Sequence, residues 1–223
     1  MLPFSRRGNV MGYAVLAFDG SDKARRAAAM DRHRAVISRW AEDGRMPFGT
    51  PLFTSEWEPS GSLMILDVLD MAGVQAYLSE EPFSVEGVWG EVRILPFRIA
   101  TLPYQRLPKP GDPVASTRTH TVAIAYDGTD AEAPARRQAA RAAHIARMQP
   151  MAADGTLAIG GAILDEAGQS MIGSIIVTRH AMDEAARAWI AEDPYVRGGV
   201  WRDITLHATR LAALPYRPLP GGA

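Results

Sequence analysis

The sequence predicts an α+β protein: two ferredoxin-like βαββαβ repeats whose antiparallel sheets pack face to face as an intramolecular pseudo-dimeric α/β barrel. Three observations lead there. The chain writes one phrase twice, SEEPFSVEGVW at 79–89 and AEDPYVRGGVW at 191–201, and such self-similarity takes precedence over any local reading. Inside each copy the hydrophobic period alternates between two and 3.6 in the order β-α-β-β-α-β, the split-βαβ arrangement. Helices then cover only one face of each sheet, and because an exposed apolar face is costly, the second copy is expected to cover the other.

The repeat spans almost the whole chain. Asp19-Gly20 matches Asp127-Gly128, His33 matches His144, Gly49 matches Gly160, and Gly61-Ser62 matches Gly173-Ser174. The tails LPYQRLP and LPYRPLP also match. The separation is 144 − 33 = 111 at the histidines and 201 − 89 = 112 at Trp89 and Trp201, so one residue is gained in between. This is a tandem duplication, with expected domains at 1–106 and 118–223 joined by the Pro/Gly-rich linker LPKPGDPVAST at 107–117.

Each element has its own signal. YAVLAF at 13–18 and TVAIAY at 121–126 are short apolar runs closed by Asp-Gly, as strands ending in turns. Ala29, His33, Val36, Ile37 and Trp40 recur at helical spacing, as do Ala140, His144, Met148 and Met151. Pro134 suits a first helical turn, whereas Pro150 is expected to kink or shorten the helix end. RMPFGTPLF with SLMILDV, and TLAIGGAIL with MIGSIIVT, read as strand pairs across polar loops. Second helices follow at about 70–80 and 181–191, placed by the same spacing. In the last strands Val92 and Ile94, or Ile204 and Leu206, alternate against Trp89, Glu91 and Arg93, or Trp201, Asp203 and Thr205. Strict alternation puts both tryptophans on the face turned toward the partner sheet.

Composition narrows the function. Hydrophobic residues make up 47% of the 223 and charged residues 22%, as in a globular protein. The formal net charge of −1 offers no field for phosphate backbones, so no nucleic-acid partner is expected. There are no cysteines, hence no disulfide or thiolate chemistry, which fits a reducing cytoplasm. The opening MLPFSRRGNVMGYAVLAFDG reads as a first strand rather than a signal peptide. No stretch approaches the roughly 20 apolar residues needed to span a bilayer, so no membrane association is expected. The chain is expected as a monomeric pseudo-dimer or a homodimer.

RAAHIARM, LAIGGAILDEAGQSMIGSIIV and AEDPYVRGGVW in the second copy resemble the YCII-related (YciI-like) family of small dimeric α/β-barrel proteins. The resemblance covers roughly 13–100 and 121–210. It implies that a helix histidine and the aspartate of an Asp-Pro-aromatic motif form the functional pair, here His144 and Asp193. The chemistry it implies is elimination or isomerisation without a cofactor, including dehydrochlorination of hydroxylated aromatics. The first copy departs from the pattern. Met30 stands where the family tends to have arginine, Thr50-Pro51 replaces the second glycine, and Glu81 replaces the aspartate, although His33 is kept.

A carboxylate beside a histidine accepts one ring N–H, fixes the tautomer and leaves the other nitrogen free to take a proton. His144 with Asp193, and His33 with Glu81, are therefore the candidate acid–base pairs. Glu81 carries its carboxylate one methylene farther out, so its geometry is expected to differ and the C-terminal copy to hold the better-preserved site. The alternative reading is that these histidines are core residues and that Asp193 caps the turn at Pro194. Ser62 and Ser174 could donate to a ligand oxygen, or simply edge a strand where backbones approach closely. Trp89 and Trp201 could line an aromatic pocket, or fill the inter-sheet core. His120 and His207 fall on strands expected to pair, but no metal-ligand spacing accompanies them, and no metal site is predicted. His180 reads as a surface or capping residue, and FDGSD and YDGTD as turns into helix caps. The function expected is cofactor-free acid–base chemistry on a small oxygenated or aromatic molecule. A non-catalytic binding or assembly module is the alternative, and cofactor-independent oxygenation is a third option by fold analogy alone.

Overall fold

A computed structural model describes residues 12–222; the part of the N-terminal reading before Gly12 lies outside them. The N-terminal copy runs β1 (Gly12–Asp19), α1 (Lys23–Glu42), β2 (Phe48–Phe53), β3 (Pro59–Leu66), α2 (Met71–Glu80), α3 (Pro82–Val85) and β4 (Trp89–Ile99). The C-terminal copy repeats this order as β5 (His120–Asp127), α4 (Ala133–Ala153), β6 (Leu157–Leu164), β7 (Met171–Thr178), α5 (Asp183–Ala191), α6 (Pro194–Arg197) and β8 (Trp201–Thr209). All strand pairs are antiparallel, and the two four-stranded sheets also join at their edges, closing a barrel in the order β1-β3-β2-β8-β5-β7-β6-β4.

Period-two alternation sorts each strand between two layers. On β1, Val15 and Ala17 pack outward with Trp40, Val74 and Tyr77 under the helices. Ala14 and Leu16 point the other way, into a core shared by both copies with Ile124, Ile175 and Val177. Gly61 and Gly173 begin the central strands because a Cβ there would lie 2.2 Å from the Ala17 carbonyl oxygen or 2.5 Å from that of Ala125. The residue after each, Ser62 or Ser174, thereby faces the helix layer.

Two details depart from expectation. A bulge between Phe18 and Asp19, and another between Tyr126 and Asp127, shift the register against the last strand. One inserted residue turns a side chain to the opposite face. Trp89 and Trp201 therefore lie in the helix-side layer, packed edge-on to Phe83 and Tyr195 respectively, and not between the sheets. Pro150 does not end α4, which continues to Ala153; the ring sits on an exposed face and forfeits one backbone bond in the final turn.

The two seams differ. At β4–β6, Phe97, Arg98 and Ile99 pair with Ile163, Ala162 and Gly161. Gly161 permits this, since a Cβ there would lie 2.3 Å from the Arg98 carbonyl oxygen. At β2–β8 only Phe53 and Ala208 pair. Thr50 and Pro51 occupy the places of Gly161 and Ala162, and Pro51 has no N–H to give the ladder. Hydroxyls take over: Thr50 Oγ1 donates to the Arg210 carbonyl at 2.7 Å, and Thr209 Oγ1 to that of Pro51 at 2.6 Å.

Beyond β4 and β8 each tail crosses onto the other copy. The Tyr104 hydroxyl donates to the Gly160 carbonyl (2.9 Å) and accepts from its N–H (3.2 Å), and Tyr216 does the same at Gly49 (2.7 and 3.2 Å). These groups are buried, so removing the Tyr216 hydroxyl strands both the N–H and the carbonyl of Gly49, whereas removing that of Tyr104 strands the Gly160 N–H and leaves its carbonyl the Ala100 N–H at 2.9 Å. Tyr104→Phe and Tyr216→Phe should each lower the free energy of unfolding by about 1–3 kcal/mol, read from the midpoint of urea denaturation at unchanged slope.

Candidate active site

Each copy holds a cavity between its long helix and the sheet, roofed by the other copy's tail. The cavity of the C-terminal copy has a volume of about 340 Å³ and is lined by Arg137, Arg141, His144 and Ser174, with residues 98–102 arriving from the N-terminal copy. Its counterpart has about 630 Å³, lined by Arg26, His33, Ser62 and Pro51, with residues 210–214 crossing over and Pro110 and Val114 of the linker alongside. The larger volume lies beside the seam that Pro51 opens.

The histidines sit about three turns into α1 and α4, on the face turned to the sheet. His144 is 8% exposed, and its Nδ1 lies 2.8 Å from Asp193 Oδ1. Asp193 is fully buried at the N-terminus of α6, where the same oxygen accepts the Tyr195 N–H at 2.8 Å and Oδ2 accepts from Arg147 at 3.3 Å. Every neighbour of this carboxylate is a donor, so Nδ1 carries the ring hydrogen and Nε2 is left with its lone pair. Nε2 has no hydrogen-bond partner among the described residues, and the ring lines the cavity. Tyr195 stacks on the imidazole at 3.9 Å and Trp201 meets it edge-on at 5.6 Å, which fixes the ring plane. The tryptophans thus support the histidine layer; neither lines either of these two cavities.

The N-terminal pair reproduces this. His33 Nδ1 lies 2.7 Å from Glu81 Oε1, which also caps α3 through the Phe83 N–H at 3.0 Å, and Phe83 stacks on the ring at 3.9 Å. The expected distortion from the longer glutamate is absent at the ring. It surfaces at the second oxygen, which accepts the Tyr77 hydroxyl at 3.0 Å where Asp193 has Arg147. Burial, then the Glu81 charge, drives the Tyr77 phenol well above its usual pKa and keeps it a donor. The short helices α3 and α6 explain the acidic positions: one carboxylate caps a helix and anchors a histidine together, so the capping and pairing readings of Asp193 describe the same atoms.

The sequence reading missed one part of the site. Asp19 and Asp127 are not simply turn residues. Arg26 binds Asp19 through two nitrogens at 2.6 and 2.8 Å, and Arg137 binds Asp127 at 2.7 and 2.8 Å. Burial raises the Asp127 pKa, and Arg137 opposes that shift. Each arginine then reaches the neighbouring serine, Arg26 to Ser62 Oγ at 3.4 Å and Arg137 to Ser174 Oγ at 3.2 Å. With an oxygen lone pair so used, the serine O–H remains free to donate toward the cavity. The available signal was an arginine seven residues before each histidine, two turns along the same helix face.

The other histidines stand apart. His207 pairs with Val122, two residues along β5 from His120, yet no group of three or more His, Asp or Glu suited to a metal ion occurs among the described residues. Burial, with Arg179 and His180 adding to it, depresses His120 to about 4. His180 lies near Trp189, 5.6 Å between ring centres, and is half-buried. No helix among the described residues is long and apolar enough to cross a membrane.

The sequence profile of the YCII-related domain matches residues 11–98 and again 119–208. Protein YciI of Escherichia coli O6:H1 is 30% identical over 88 residues, 37% of this chain and 90% of that protein. An uncharacterized protein of Haemophilus influenzae is 35% identical over 74 residues, 31% of this chain and 76% of the relative. Among solved structures, a mutant chlorite dismutase of Candidatus Nitrospira defluvii superposes with a TM-score of 0.56 at 12% identity, covering 92% of both chains. At that identity the likeness is one of fold.

Two measurements follow, one on the His144 site and one on His120 outside it. In the wild type at neutral pH, long-range ¹H–¹⁵N spectra should show His144 as the Nδ1–H tautomer, and Asp193→Ala should convert it to a mixture or to Nε2–H. For His120 the unfolded chain takes up a proton below pH 6.5 that the folded protein refuses until about pH 4. Stability should therefore fall as pH drops through that window, and thermal melts of His120→Asn should fall less steeply.

Proposed function

The chain belongs to the YCII-related family in both of its halves, and on that footing we propose that it is an acid–base enzyme working without a cofactor on a small oxygenated or aromatic molecule, with His144 as the proton-transfer group and Asp193 as its anchor. The observation that carries this reading is an imidazole held through Nδ1 by a buried carboxylate, with Nε2 unpartnered at a cavity of about 340 Å³. Such a nitrogen takes a proton from a hydroxyl or an activated C–H. In an elimination the released electron pair forms the new double bond as the leaving group departs as an anion; in an isomerisation the proton returns to another atom of the same conjugated system. Ser174, its oxygen occupied by Arg137, donates its O–H to the substrate oxygen on which charge grows. His33 and Glu81 form the second site of the same kind, with Ser62 in the serine position.

A binding module is the second reading, favoured by one observation: the stacking on Tyr195 and the α6 cap already give His144 and Asp193 a stabilising role without any reaction. Turnover separates the two. A panel of chlorinated and unchlorinated hydroxybenzenes, followed by ultraviolet absorbance and chloride release, should contain at least one compound that is converted. His144→Gln should reduce that rate roughly 10²- to 10⁴-fold, the usual worth of a positioned base, while the panel member still binds. Binding without conversion by the wild type would leave the module reading standing.

A further inference from the structure

The two cavities differ in charge as well as size. Around the C-terminal cavity Arg137 is matched by Asp127 and Arg147 by Asp193, but Arg98 and Arg141 have no acidic partner among the described residues. Four arginines against two aspartates leave an excess of two positive charges, taking His144 as neutral. Around the N-terminal cavity Arg26 is matched by Asp19 and Arg34 by Asp31; Arg210 has no acidic partner among the described residues, but the buried Glu81 has no arginine on it either, so three arginines stand against three carboxylates. Met30 occupies the place of Arg141, and Arg210, the counterpart of Arg98, donates to the Ala115 carbonyl of the linker.

Arg98 is the telling residue. It belongs to β4 of the N-terminal copy, yet it lines the cavity of the C-terminal copy, carried there by the β4–β6 pairing of Arg98 with Ala162. Its Nε–H is buried and unpartnered, and so is that of Arg137 in the same cavity. A guanidinium with buried, unfilled donors and no counter-ion is costly, and an entering anion supplies both charge and acceptors. Its fork matches a flat oxyanion such as a carboxylate.

We propose that the C-terminal cavity is a site for a small organic anion, a carboxylate or phenolate on a ring, held by Arg98 from the opposite copy together with Arg141, while the N-terminal cavity is not selective for anions. This deepens the function proposed above by naming a ligand class, but it depends on binding alone and not on proton transfer.

The test is titration of the full chain with benzoate and, separately, with uncharged benzamide, followed by calorimetry and by histidine ring signals. Benzoate should saturate, shift His144, and bind at least about tenfold tighter than benzamide. Arg98→Met and Arg141→Met should each weaken benzoate about tenfold or more, in line with the loss of one charge-assisted contact, and Arg210→Met less than about twofold. Arg141 is exposed on α4 away from the seam, so its variant remains informative should Arg98→Met fail to fold. Equal affinity for the two probes, unchanged benzoate affinity in the folded variants, or no saturation by benzoate would overturn the inference. Tight, arginine-dependent benzoate binding in a protein that converts none of the hydroxybenzenes would sustain it while removing the catalytic reading.

Discussion

The hydrogen bond between a helix imidazole and a fully buried carboxylate is the interaction on which the rest of each copy depends. A buried carboxylate is tolerable only with its oxygens satisfied, because desolvation of an isolated charge costs far more than one contact returns. Here the donors are a backbone N–H of the short helix, the ring Nδ1–H, and an arginine or a tyrosine. Meeting that demand fixes the start of α3 or α6 against the middle of α1 or α4. It also sets the aromatic residue two positions on, Phe83 or Tyr195, flat on the imidazole. The free ring nitrogen is a consequence: once Nδ1 is committed to the carboxylate, geometry sends Nε2 away from the protein toward the cavity.

The copies keep that interaction while their surroundings diverge, through few substitutions. Glutamate for aspartate leaves the ring contact within 0.1 Å, since the distances are 2.7 and 2.8 Å. What changes is the partner of the second oxygen, neutral Tyr77 in one copy and cationic Arg147 in the other. Thr50-Pro51 in place of Gly161-Ala162 removes a backbone donor and adds a Cβ where two strands must touch. The β2–β8 seam is bridged by hydroxyls instead, with the roomier cavity beside it.

Much of this was legible in the sequence. The duplication, the order of elements and the long-helix histidines follow from spacing and period; their acidic partners came from the resemblance to the YCII-related family, and each pair meets within hydrogen-bond distance. Two things were hidden. Alternation alone sends Trp89 and Trp201 toward the partner sheet, and only the bulge after Phe18 or Tyr126 reverses them; a bulge is a register event between strands that leaves no mark within one strand. Arg26 and Arg137 looked like ordinary members of an arginine-rich helix start. Their role depends on Asp19 and Asp127 turning inward, and Asp-Gly reads equally well as a plain turn.

The exchange of tails explains why fusing the copies matters chemically. In a symmetric pair of separate chains, residue 98 of each would enter the other's cavity and both cavities would stay alike. In one chain the two crossings are made by different residues, Arg98 at one cavity and Arg210 at the other, so each can change alone. The histidine and carboxylate come from within a copy, whereas the cavity roof comes from the other copy. A substitution in a tail therefore alters the electrostatics over a cavity while leaving its imidazole, stacking ring and capped helix undisturbed, and the two sites can diverge in ligand while holding the same proton-handling geometry.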